Sequence, residues 1–401
     1  MLYKMKILVV TQYFWPEEFR INDICRGLNE LGHEVEILTG LPNYPEGKLY
    51  KGYSYLKRGP KKYKGMKVTR VGIIPRGKSN SILLALNYLS FMISASIRII
   101  PMIFKQYDKV FVFQVSPLTT AIPAIILSKL KKIPSYIYIQ DLWPETFYSI
   151  VNISNKSIRK LMKRICIKIY NSFDKLLIAS RGYEEILIKE CIDKNKIEYF
   201  PQWAEDFYSN VEEIDKLKND FIVTFAGNIG KAQSVNTIIE AANMLKDKKN
   251  IRWNILGDGS ELENIKNMID KYDLKNNVNL LGRKPSSDMP KYFSKSDALI
   301  VTLKDEEILR VTLPAKVQSY MAAGKPIVAA ISGEGNRIIK ESNCGLVCEA
   351  EDYIKLSENI LRLFNMSEDK ISELGRNGKK YFNNNFTREK LLIQLEKIIN
   401  V

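Results

Sequence analysis

A single histidine, His33, stands in 401 residues. It opens the strand-like run HEVEILT (33–39). Parallel α/β sheets hold ligands beyond the carboxyl ends of their strands, so a histidine at the start of one is expected to be structural, and a histidine base is excluded. The five cysteines, at 25, 166, 191, 344 and 348, form no paired framework. Cys344 and Cys348 are i, i+4 neighbours with His33 far off in sequence, so buried free thiols in a reducing compartment are expected rather than a zinc site. Neither G-x-G-x-x-G nor G-x-x-x-x-G-K-[ST] is present, and dinucleotide and P-loop readings lack their signature. No D-x-D pair offers a divalent-metal site. The opening MLYKMKILVVTQ has a short basic lead but no cleavage-site pattern, so a cytoplasmic location is expected.

Acidic residues are missing from one region. The net charge is +16, yet residues 201–401 hold 29 basic and 29 acidic side chains. The excess therefore lies in residues 1–200, and residues 51–100 carry 11 basic side chains and no acidic one. Such a face calls for an anionic partner, nucleic acid or membrane. No finger or RNA-binding motif is present. The apolar segment SILLALNYLSFMISASIRIIPMIF (81–104) follows directly, broken by Arg98 and Pro101. It is nearly long enough to cross a bilayer, but a charge in hydrocarbon and a helix-kinking proline both oppose a span. A helix lying in an anionic membrane surface is favoured over a core helix. The basic amphipathic stretch LMKRICIKIY (161–170), with Lys156, Arg159 and Lys160 before it, adds to that face.

What is abundant is β-branched apolar sequence in short runs. MKILVVT, HEVEILT, KVFVFQV, SYIYIQ, KLLIAS and KIEYF alternate with helical patterns up to residue 200. PQWAEDFYSN (201–210) interrupts, and the rhythm restarts with DFIVTFAG, IRWNILG, NVNLLG, DALIVTL, PIVAAI and GLVCE. This is the βαβ pattern of doubly wound parallel sheets. Two Rossmann-like domains are predicted, 1–203 and 204–384, followed by a last helix in 385–401.

The segments after each strand of the second half are where chemistry belongs. GNIGKAQS (227–234) has Gly227 and Gly230 for close backbone approach and Lys231 for a phosphate. GDGSELENI (257–265) follows with Gly257, Asp258 and Gly259. Its Ser260 and Glu263 also have capping-box spacing, so a plain helix start competes. GRKPSSD (282–288) supplies Arg283 and Lys284. In PAKVQSYMAAGKPIVAA (314–330), Lys316 stands one helical turn before Ser319.

The order and spacing of FAGNIGKAQSVNTIIEAANML, ILGDGSELENI, NVNLLGRKPSSDMPKYFSKSDALIVTL and PAKVQSYMAAGKPIVAA…GEGNRII…NCGLV resemble the nucleotide-sugar domain of family 4 glycosyltransferases. ILVVTQYFWPEEFRINDICRGLNELGHEVEILTGLPNYPEG is similar to the family's acceptor-domain opening, and QDLWPE (140–145) and FPQWAED (200–206) match further landmarks. The nearest branch in pattern builds O-antigen and capsule repeat units and includes transferases of L-fucosamine. The resemblance implies a GT-B fold, two Rossmann-like domains facing a cleft, with the last helix crossing back to the first domain. It implies a metal-independent, anomer-retaining transfer with no cofactor beyond a UDP-sugar donor.

This chain departs from the broad family at the donor cations and carboxylates. Asn228 and Gln233 stand where most members have Arg and Lys, with Lys231 between them. Val311 and Ser319 stand where two glutamates are expected. Lys316 fits the lysine of the resembled branch, so Lys316 and Lys231 are expected to neutralise the leaving diphosphate, with Ser319 near the ribose; an exposed, snorkelling helix lysine is the plain alternative for Lys316. The donor set expected is Gly227, Asn228, Gly230, Gly257, Asp258, Gly259, Arg283, Lys284, Ser319, Gly333 and Glu334. Asp141 and Glu145 are expected on the catalytic side. Tyr13, Trp15, Glu17, Arg20 and Asn43 are expected to meet the acceptor, and Trp15, Trp143 and Pro144 either stack on sugar or pack loops.

The reading that follows is a glycosyltransferase on the cytoplasmic face of a bacterial inner membrane. It moves a sugar, an N-acetylamino sugar for preference, from UDP to a polyprenyl-pyrophosphate-linked glycan, with no nucleic acid involved. A UDP-sugar epimerase or hydrolase, and a non-catalytic scaffold of a polysaccharide-assembly complex, are the rival readings.

Overall fold

The computed structural model describes residues 4–77, 81–150, 155–209 and 220–400. The chain divides into two compact units. The first comprises residues 1–179, 183–200 and 392–401; the second comprises 180–182 and 201–391. The last helix, Arg388–Ile399, straddles that division, with its residues from Leu392 onward belonging to the first unit.

The first unit is built on eight strands: β1 (Lys6–Val10), β2 (Glu34–Gly40), β3 (Lys62–Tyr63), β4 (Met66–Val71), β5 (Lys109–Gln114), β6 (Ser135–Ile139), β7 (Lys175–Ile178) and β8 (Ile197–Tyr199). Their order is β3-β4-β2-β1-β5-β6-β7-β8. All neighbours are parallel except the short β3–β4 hairpin. Val10 of β1 lies between Leu38 of β2 and Val112 of β5. The central strands KILVV, KVFVFQ and SYIYI are almost wholly buried, which is why their sequences run apolar without alternation. His33 sits at the amino end of β2, buried, and accepts the Met5 amide on Nδ1 at 3.3 Å, while its Nε2 lies 3.5 Å from Glu396 in the last helix. Burial lowers its pKa.

The helix Ser81–Met102 ends one residue after Pro101. It is the one helix among the described residues long and apolar enough to cross a membrane, by length and composition. It is not a core helix throughout. Asn87, Tyr88, Phe91, Ala95, Ile99 and Met102 face inward, while Ile82, Leu86, Leu89, Ile93, Ile97 and Ile100 are exposed. These six recur every three or four residues and so form one stripe along the helix. Four cysteines are buried, as expected, but Cys191 is exposed.

The second unit has six parallel strands: β9 (Phe221–Ala226), β10 (Ile251–Leu256), β11 (Val278–Gly282), β12 (Ala298–Thr302), β13 (Ile327–Ala330) and β14 (Gly345–Cys348). They are ordered β11-β10-β9-β12-β13-β14. One core packs Val235, Ile238, Ile265, Leu356 and Ile360, and another packs Val317, Tyr320, Met321, Ile338 and Phe382. The sheet is therefore covered on both faces. The capping box that the Ser260–Glu263 spacing allows is not formed: the helix Leu262–Tyr272 is preceded by Glu261 and has no side-chain cap.

Candidate functional site

In the second unit the strand order reverses direction at β9, whose neighbours are β10 on one side and β12 on the other. A crevice at the carboxyl ends of strands belongs at such a switch point. The loops after β9 and β10 meet there backbone to backbone. A Cβ on Gly257 would lie 1.8 Å from the Gly227 oxygen, and Gly257 has φ +149°. The Ile229 amide donates to the Asp258 oxygen and the Glu261 amide to the Ile229 oxygen. A Cβ on Gly259 would lie 2.4 Å from that Ile229 oxygen. The Asp258 carboxylate accepts the Gly259 amide at 2.7 Å.

Lys316 is the second residue of the helix Ala315–Ala322. Its side chain runs back over the end of β9. The Nζ stands 4.0 Å from the centre of the Phe225 ring, and a Cβ on Gly227 would be 2.3 Å from Cε and 2.7 Å from Nζ. Glycine at 227 thus makes the room that the lysine fills. No carboxylate of the described residues neutralises this ammonium, and burial pushes its pKa down to about 7. Position two of a helix is also the wrong end for a cation, because the free backbone amides there carry partial positive charge. A buried, unpaired cation beside free helix amides is a site built for an anion.

The other expected donor residues divide. Asn228 is exposed and turns its amide to the Gln233 side chain at 3.3 Å. Gly230 packs under that pair. Lys231 is exposed on the turn Lys231–Gln233, which the Lys304 amide and the Thr302 hydroxyl fasten to the end of β12. Ser319 lies one turn along the helix from Lys316. Gly333, at φ +72°, lets the backbone pass the Arg310 oxygen, 1.9 Å from where a Cβ would be. Glu334 opens the helix Glu334–Glu341, and both of its oxygens accept from Arg337, at 2.9 and 2.8 Å. Arg283 and Lys284 are exposed after β11, two strands from β9.

In the first unit, Asp141 follows β6. Burial raises its pKa against the pull of Ser116, whose amide and hydroxyl both donate to Oδ2. Glu145 opens the helix Glu145–Ile150. Glu17 is buried, and its carboxylate accepts the amides of Asn43, Tyr44 and Phe14, at 2.8, 2.7 and 3.3 Å. Burial still pushes its pKa up to about 7. A carboxylate so fully occupied ties the loop after β1 to the loop after β2. Asn43 is buried in the same knot, its Oδ1 accepting from the Arg76 amide and the Asn87 side chain. Tyr13 is buried and stacks on Phe19 at 4.9 Å. Arg20 begins the helix Arg20–Glu30. Trp15 lies against Tyr63 and Arg70. Trp143 packs loops instead of offering a sugar platform: it is only 7% exposed and is stacked on Phe147.

Two residues of this region escape sequence reading. Arg70 is buried and donates to the backbone oxygens of Trp15 and Pro60, at 2.7 and 2.6 Å. Ser116 is the other. The signal that finds Ser116 is its place just past β5, where parallel sheets put their chemistry; nothing in the residue type marks Arg70. Among the described residues, no group of three His, Cys, Asp or Glu side chains converges as metal ligands.

Comparison with known proteins agrees with this layout. Residues 18–203 match the family described as Glycosyltransferase Family 4, and residues 207–381 match Glycosyl transferases group 1. The probable glycosyltransferase WbjE of Pseudomonas aeruginosa is 26% identical over 65% of this chain, which spans 66% of that relative. The putative colanic acid biosynthesis glycosyl transferase WcaI of Escherichia coli is 23% identical over 80% of this chain and 82% of its own length. Among solved structures, Anabaena HepE in complex with UDP superposes with a TM-score of 0.71 at 13% identity, covering 99% of this chain and 100% of that one.

Proposed function

With one glycosyltransferase family matched by each half, the chain is a glycosyltransferase of the GT-B fold, and from that premise we propose that it moves a sugar from a UDP-sugar to a lipid-linked glycan during synthesis of a bacterial surface polysaccharide. The observation that carries the donor side is Lys316. Its unpaired ammonium, the free amides at the start of its helix and the glycine-lined loop after β9 make one anion site at the switch point. A nucleoside diphosphate supplies the missing negative charge. Breaking the bond from sugar to diphosphate adds charge to the leaving group, and a cation already in place stabilises it without reorganisation. Lys316 does this together with the exposed Lys231, in place of a metal; retention of configuration is what the likeness to family 4 glycosyltransferases implies. That UDP is bound by HepE supports uracil as the base; the names of WcaI, for colanic acid, and of a further relative, the amylovoran biosynthesis glycosyltransferase AmsK of Erwinia amylovora, support a polysaccharide product.

On the acceptor side, Asp141 meets the incoming hydroxyl. The protein works at the cytoplasmic face of the inner membrane, where the pyrophosphate-linked acceptor lies. Two helices of the first unit support this location. Ser81–Met102 presents its exposed isoleucine and leucine stripe. Lys156–Asn171 exposes Ile158, Leu161 and Ile165 among Lys156, Arg159, Lys160 and Arg164. An exposed apolar stripe on one helix and a basic amphipathic face on another are features of a protein seated on anionic lipid.

Thermal unfolding with UDP, GDP and a panel of UDP-sugars, each with and without EDTA, tests the donor reading. UDP at a hundredfold excess over Kd is expected to stabilise the protein by roughly 2.7 kcal/mol, undiminished by EDTA, and GDP to do much less. A protein that no nucleotide stabilises would refute the site. Stabilisation abolished by EDTA would refute metal independence.

A further inference from the structure

Asp141 is held by more than its own loop. The Ser116 amide and hydroxyl donate to its Oδ2 at 3.0 and 2.9 Å. The oxygen of that hydroxyl in turn accepts the Trp143 indole N–H at 3.2 Å. A serine hydroxyl has one proton. With the indole proton on its lone pair, that single proton is directed at the carboxylate. Gln114, the last residue of β5, donates from Nε2 to the backbone oxygens of Val115 and Asp141, at 2.8 and 3.1 Å. The loops after β5 and β6 are therefore sewn together on both sides of Asp141. No described residue donates to Oδ1.

We infer that Ser116 is a positioning residue for the transfer: it clamps Oδ2 of Asp141 and thereby presents Oδ1 as the acceptor of a hydrogen bond from the incoming sugar hydroxyl. This rests on the reading of Asp141 as the acceptor-side carboxylate. Two donors on one oxygen favour the ionised form, and burial favours the protonated one. Burial is the larger influence and leaves the carboxyl raised; the two Ser116 donors counter that rise and fix which oxygen is occupied. Trp143 acts one step further out, by fixing which way the serine hydroxyl points.

The test is the pH profile of kcat/KM for Ser116→Ala, Ser116→Thr, Trp143→Phe and Asp141→Asn. The probe is turnover of a UDP-sugar panel on lipid-linked acceptors extracted from bacterial membranes. Ser116→Ala removes a donor to the charged form, so the acidic limb is expected to move up by roughly one pH unit. kcat should fall while KM for the UDP-sugar stays put. Threonine should restore the profile, and Trp143→Phe should shift it the same way by less. The inference is overturned if Ser116→Ala superimposes on the parent while Asp141→Asn loses turnover. It is also overturned if Ser116→Ala loses activity equally at every pH, with a lowered melting temperature that threonine does not rescue. Full activity in Asp141→Asn would instead strike down the acceptor-side reading, and this inference with it. The UDP-induced stabilisation is a separate readout, so failure of the donor site is told apart from both.

Discussion

Exchanging Lys316 for methionine is expected to lower kcat by roughly 10²–10³-fold, the usual loss when one preorganised electrostatic group is removed from a transfer site, and to weaken UDP binding while leaving the protein folded. Methionine keeps the length and apolar stem that fill the space over Gly227 and Phe225. It loses only the charge. In the unliganded protein that charge is a burden, since burial takes the lysine from 10.5 to about 7. The unfolded chain then binds more protons between those two values, so this group makes stability rise with pH across that window. Removing it should leave the melting temperature unchanged or raise it at neutral pH.

Ligand binding reverses the preference. A bound diphosphate pairs with the ammonium and draws its pKa back up, so UDP binding takes up a proton above pH 7. The affinity of the parent protein for UDP is accordingly expected to fall with rising pH above about 7, by at most tenfold per unit for a single proton. The methionine variant should lose that dependence. Calorimetric titration of both proteins with UDP at pH 6.5 and 8.5, in buffers of different ionisation enthalpy, reads affinity and proton uptake together. Equal UDP affinity in the two proteins at both pH values would remove Lys316 from the site.

The second large effect concerns the membrane. Ile93→Glu with Ile97→Glu places two charges in the exposed stripe of the helix Ser81–Met102. Each substitution forfeits about 1.5–3 kcal/mol of apolar burial in the acyl boundary. Binding to anionic vesicles is expected to fall at least a hundredfold, and the protein should no longer float with them in a density gradient. Both side chains are more than half exposed, at 54% and 63%, so folding should be spared and UDP should still raise the melting temperature. Reversing Lys61, Lys62 and Lys64, all exposed on or beside the β3–β4 hairpin, should weaken binding by about 1 kcal/mol per charge at low salt. It should have no effect on neutral vesicles. Undiminished flotation of the isoleucine double variant would leave the stripe without a membrane role.

Much of this protein is legible in one dimension. The strand runs announce themselves, because a strand buried on both faces needs an unbroken apolar stretch and no partner has to be known to see it. KVFVFQV and SYIYIQ are read at once and form β5 and β6. The short β3–β4 hairpin is harder to see, since KYKGMKVTRV mixes lysine into its strand positions. The carboxyl-end rule leads directly to Gly227 and Gly257, and the family resemblance to Lys316. It cannot say which side chains there are already occupied.

The sequence by itself determined two parallel α/β units, the one-sided basic charge and the glycine-bearing loops after the strands of the second unit. Each of these follows from local composition and period, which do not depend on what lies across the sheet. Only the tertiary structure decided which polar groups are free to act. Glu334 is paired with Arg337 on its own helix, and Glu17 holds three amides from two loops. Lys316 meets a glycine far back in the chain and no acid. Ser116 reaches Asp141 across 25 residues. A hydrogen bond is set by angles and distances of a few tenths of an ångström. Those are fixed only when strand register and loop backbone bring distant residues together, and no spacing along the chain encodes them.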